Sequence, residues 1–75
     1  MPRLPRVSGA EAIRALERLG FTQIRQRGSH VVLKRVGPDR VAGCVVPMHI
    51  ELATGTLRSI LKQAGITIDE FVAKL

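Results

Sequence analysis

A glycine, a serine and a histidine stand together at Gly28-Ser29-His30, among Arg25, Arg27, Lys34 and Arg35, with no acid between Arg18 and Asp39. Histidine is the side chain whose unperturbed pKa lets it accept and donate a proton near neutral pH. Guanidinium and ammonium groups are what holds a phosphodiester backbone. The pairing points to proton-transfer chemistry on a nucleic acid, with His30 as the candidate catalytic residue. The neutral form of the ring suits removal of a proton from a ribose 2′-hydroxyl. Gly28-Ser29 allows close backbone approach to a ligand. Ser29 therefore joins Arg25, Arg27 and Lys34 as a candidate RNA contact.

Other reactive side chains rank lower. His49, in Val46-Pro47-Met48-His49, is the candidate second acid or base if the third strand carries it alongside His30. Ser29 as a nucleophile is rejected, because neighbours on a strand point to opposite faces and cannot form a working Ser–His pair. The six acids are scattered along the chain, so no metal site is expected, nor any cofactor. Cleavage without a metal suits RNA, whose 2′-hydroxyl is an internal nucleophile that DNA lacks. Cys44 lies in an apolar run and reads as a small buried hydrophobe. Leu57 to Leu75 has the hydrophobic pattern of a helix-turn-helix, but its second helix would open on Asp69-Glu70 and repel phosphates. Arg58 and Lys62, one turn apart on a helix, are the remaining candidate RNA contacts.

Charge is unevenly distributed. Residues 1–40 hold nine Lys/Arg against Glu11, Glu17 and Asp39, whereas residues 41–75 hold three of each sign. The net +6 thus lies wholly in the first half, which favours a polyanion there. Seventy-five residues with 45% hydrophobic content predict one small globular domain over residues 1–75. No apolar run approaches the roughly 18 residues of a membrane span. The start, Met1-Pro2-Arg3-Leu4-Pro5-Arg6, is basic and proline-broken with no apolar core behind it, so a cytoplasmic protein is expected.

The elements that must position these residues are legible from local signals. Ser8-Gly9-Ala10-Glu11 is a capping box ahead of Ala12, Ile13, Leu16 and Leu19, and Gly20 supplies the stop, predicting a helix over about 9–19. Arg14 and Arg18 share one exposed edge of it. Three strands follow, Phe21–Arg27, Ser29–Val36 and Val41–Pro47, turned at Gly28 and at Gly37-Pro38-Asp39-Arg40. Short connections predict an antiparallel meander. With Val31 and Leu33 inward, His30, Val32 and Lys34 face away. Ile24 is the expected inward residue of the first strand, which places Gln23, Arg25 and Arg27 on the outer face. Gly55-Thr56 opens a second helix closed by Gly65, and Thr67-Ile68-Asp69-Glu70 caps a last short one. The order αβββα plus a small C-terminal helix predicts a two-layer α+β fold.

Four stretches carry a resemblance over roughly residues 4 to 72: Ser8-Gly9-x-Glu11, Gly28-Ser29-His30, Val46-Pro47-x-His49 and the run from Gly55 through Gly65. This pattern resembles the HicA mRNA interferase toxins. The resemblance implies a fold like that of double-stranded RNA-binding domains, ribosome-independent cleavage of mRNA, and an essential strand histidine, which falls on His30. It also implies neutralisation by a HicB-type antitoxin that covers the active site. The alternative left open by the residues is an RNA-binding module of the same fold that cuts nothing.

Overall fold

Ser8 opens α1 (Gly9–Arg18) through a complete capping box in the computed structural model of the chain. Its hydroxyl accepts from the Glu11 N–H at 3.0 Å, and the Glu11 carboxylate accepts from the Ser8 N–H at 2.9 Å. Those bonds hold the Glu11 carboxyl below its ordinary pKa. The structure describes residues 3–75, so the first two residues of the basic N-terminal stretch lie outside it. Three strands follow, β1 (Thr22–Arg27), β2 (His30–Val36) and β3 (Val41–Pro47), in an antiparallel sheet of order β1-β2-β3. Then come α2 (Thr54–Ala64) and α3 (Ile68–Val72). Thr67 and Glu70 cap α3 as Ser8 and Glu11 cap α1. Helix α2 starts at Thr54, one residue before Gly55, with Ala53 at its N-cap and no side-chain cap; Gly65 ends it at φ +70°.

The core lies between the sheet and the helices. Leu16, Val31, Leu33, Val46, Leu57 and Phe71 are fully buried, joined by Ala12, Ile13 and Ile60. Burial along β2 alternates, with Val31 and Leu33 inside and His30 and Lys34 outside, as its pleat predicts. Of the last helix only Phe71 is buried; Val72 and Leu75 are exposed.

Strand β1 departs from expectation. All six of its residues are exposed, including Ile24 at 53%. The ladder to β2 pairs Gln23 with Leu33 and Arg25 with Val32, so a bulge leaves Ile24 without a partner between them. One extra residue reverses the pleat's parity. Gln23 therefore lies opposite an inward residue, and its Nε2 approaches Glu17 Oε2 of α1 at 3.5 Å. The expected inward Ile24 and outward Gln23 are both corrected by that irregularity. The helices α1 and α2 pack chiefly on β3, and β1 lies at an edge of the sheet.

Cys44 sits in the core on β3 as a free thiol, and burial pushes its pKa up to about 11. Only a thiolate reacts readily. A thiol reagent at pH 8 is therefore expected to leave the native protein unmodified and to label Cys44 once denaturant unfolds it. Rapid labelling of the native chain would contradict this burial.

A candidate nucleic-acid interface

The uncovered face of the sheet is assembled by register. Residues directly opposite on antiparallel strands project to the same side, with Cβ atoms about 5 Å apart. Arg27 lies opposite His30, Arg25 opposite Val32, and Thr22 opposite Lys34. The pleat and the bulge together thus bring Arg25, Arg27, His30 and Lys34 to one exposed face, away from the helices. Arg35 leaves the group: its guanidinium lies over the Phe21 ring, 5.0 Å from the centroid, and donates to the Leu19 carbonyl at 3.1 Å.

His30 is held at the mouth of a hairpin. Gly28 and Ser29 form a two-residue turn between Arg27 and His30. Gly28 has φ +56°, while among the described residues no non-glycine has positive φ, so only the first turn position is left-handed. This is the signature of a type II′ turn, which suits the twist of the flanking strands. A Cβ at Gly28 would meet no atom within 4 Å, so glycine is required there by backbone conformation alone. Gln26 braces the turn by donating from Nε2 to the Gly28 carbonyl at 2.9 Å. Nothing in the sequence beyond its nearness to Gly28 marks Gln26 for this task.

Ser29 lies in that turn and not on β2, so strand parity does not govern its side chain. Its carbonyl accepts from the Met48 N–H at 2.6 Å. Pro47 is the residue opposite His30, and His49 follows two residues later. The His49 carbonyl accepts from the Gly9 N–H at 2.9 Å, tying this segment to the start of α1. Both histidines are exposed. The third strand therefore does run alongside His30 and delivers His49 to the same end of the sheet.

Beside the cations the face turns apolar. Val32 lies opposite Val45, and Val36 opposite Val41. A groove of about 440 Å³ is lined by Ile24, Arg25, Val32, Lys34 and Val45, with Gln63 of α2 at its border. Arg58 and Lys62 are exposed on α2 but turned about 100° or more round the helix from Gln63. The structure does not gather them with His30. Among the described residues no group of three His, Cys, Asp or Glu side chains comes together as a metal site would need.

A family model described as the HicA toxin of bacterial toxin-antitoxin matches residues 9–66. The chain belongs to the HicA toxin family. The match runs from the first residue of α1 past the end of α2, so it includes Gly28-Ser29-His30 and His49 and stops short of α3. No curated protein matches the chain. Membership of the HicA family makes this a toxin of a toxin–antitoxin pair and implies an antitoxin partner. Among the described residues no helix is long and apolar enough to cross a membrane.

Proposed function

We propose that the chain is an endoribonuclease that cuts mRNA and so inhibits translation, with His30 as general base. The observation that carries this reading is the position of His30: exposed at the hairpin mouth, directly opposite Arg27, on the face that also bears Arg25 and Lys34. The His30 imidazole removes the 2′-hydroxyl proton. The 2′-oxygen attacks the adjacent phosphorus, and the bond from phosphorus to the 5′-oxygen breaks. The products are a 2′,3′-cyclic phosphate and a 5′-hydroxyl. Arg25, Arg27 and Lys34 hold the strand and offset charge on the pentacoordinate phosphate. Ser29 presents the turn to the backbone.

The leaving 5′-oxygen needs a proton, and His49, two residues beyond the partner of His30, is assigned that role in this reading. Arg58 and Lys62, on the helical layer, are left to more distant phosphates. A HicB-type antitoxin silences the toxin by covering the same face. The apolar pairs Val32–Val45 and Val36–Val41 beside the cations suit a protein surface better than a phosphate backbone.

This route consumes no metal and requires a ribose. An RNA oligonucleotide is expected to be cut in the presence of a chelator, while DNA of the same sequence survives. Cleavage of the DNA, or loss of RNA cleavage on chelation, would refute the route.

A further inference from the structure

A second cationic groove lies on the opposite side of the molecule. The core side of α1 carries Ala12, Ile13 and Leu16; Arg14 and Arg18 project from its other side, exposed. With Arg6 from the extended N-terminal segment they line a groove of about 420 Å³ closed by Leu75. Glu11, the side-chain carboxylate in its lining, accepts from the Ser8 N–H at 2.9 Å and also interacts with Arg14, so the three guanidinium groups outnumber it. Arg18 is fixed in place, its Nη1 donating to the Lys74 carbonyl at 2.7 Å. Like charges four residues apart destabilise a helix. The fold nonetheless sets Arg14 and Arg18 on one edge and brings Arg6 to them. Guanidinium groups in this arrangement match phosphates, which they bind through paired N–H donors. The rise of about 6 Å between Arg14 and Arg18 is close to the step between successive phosphates of an RNA strand.

We infer that the groove of Arg6, Arg14 and Arg18 is a second phosphate track, holding a stretch of RNA that flanks the segment cut at the sheet face. The inference rests on the RNA-cleaving reading above for the identity of the polyanion. The fold is only 18 Å across its thinnest axis, so one flexible strand can pass round an edge from one face to the other. The track adds affinity for long RNA and takes no part in the chemistry.

Two triple variants of the full chain test this, each combined with His30→Ala so that bound RNA stays intact. One replaces Arg6, Arg14 and Arg18 by Gln; the other replaces Arg25, Arg27 and Lys34 by Gln. Binding of a long single-stranded RNA is measured against salt. Each phosphate contact on a single strand contributes roughly 0.7 to the log–log slope, so the first variant should lose about 2 from it. A slope equal to that of the parent overturns the second track and leaves the sheet-face reading standing. An unchanged RNA slope with loss of antitoxin binding makes the groove a protein contact and also overturns it. If only the first variant loses slope, the groove stands and the sheet-face reading falls. No RNA binding by the parent refutes both. Arg14→Gln alone, which leaves the Arg18–Lys74 bond untouched, should lose about 0.7 of slope and separates charge loss from loosening of the C-terminal segment.

Discussion

Replacing His30 by alanine is expected to slow RNA cleavage by about 10²- to 10⁴-fold, the usual contribution of a positioned general base. Growth inhibition on expression should vanish with it. Fold and RNA affinity should survive. His30 is exposed at the first residue of β2, so its removal should change stability by no more than about 0.5 kcal/mol. The side chains of Arg25, Arg27 and Lys34 are also untouched. Single-turnover cleavage, a thermal melt and RNA binding on the same preparation separate these effects. A variant that still cuts at the parental rate would leave a binding module, not a nuclease.

The second large effect lies in the scaffold. Gly9 is the first residue of α1, where alanine should ordinarily be better by up to about 1 kcal/mol. Here the sign reverses. A Cβ at Gly9 would stand 2.2 Å from the Pro47 carbonyl oxygen and 3.0 Å from the Met48 Cα. Both are backbone atoms, which cannot rotate aside as a side chain can. Relief requires α1 to move away from the end of β3, straining the bond from the Gly9 N–H to the His49 carbonyl. Overpacking of this kind costs about 1–3 kcal/mol, a large share of the roughly 5–10 kcal/mol expected for a domain of this size. The midpoint of thermal unfolding should fall by roughly 4–8 °C for each kcal/mol lost.

Gly55→Ala is the matched comparison. Gly55 lies in the first turn of α2, a Cβ there meets nothing within 4 Å, and its φ is not positive. The same substitution should stabilise the protein by about 0.5–1 kcal/mol. Melts of the two variants should therefore move in opposite directions. Because Gly9 anchors the segment carrying His49, Gly9→Ala should also slow cleavage at temperatures where the protein remains folded.

Local signals made much of this architecture readable from sequence. Ser8–Glu11 and Thr67–Glu70 announce two helix starts because a capping box satisfies its own backbone donors and needs no tertiary partner. Gly28 and Gly37-Pro38-Asp39-Arg40 announce the two hairpins for a similar reason, since turn conformation is set by the turn residues themselves. The outward position of His30 follows from Val31 and Leu33, whose burial fixes the parity of β2.

Ile24 was not readable. A bulge is a property of the pairing between two strands, and the pattern Thr-Gln-Ile-Arg-Gln-Arg alone gives no cause to break its alternation. With one apolar residue in six, β1 has little burial to specify its register, and the edge stays uncovered. Gly9 shows a different gap. Its close approach to Pro47 joins residues far apart in sequence, so the only local clue is a glycine where alanine would serve the helix better. The segregation of Arg35 from its cationic neighbours likewise depends on Phe21 and Leu19, contacts that only folding creates.

The most direct measurement is the chemistry of the 3′ end left by the intact toxin on a single-stranded RNA of defined sequence, read by mass spectrometry. An imidazole that activates the neighbouring 2′-hydroxyl leaves a 2′,3′-cyclic phosphate with a 5′-hydroxyl on the other fragment. Fragments ending in a 3′-hydroxyl, with phosphate on the 5′ side, would mean that water and not the ribose attacked phosphorus, and His30 would lose the role assigned to it.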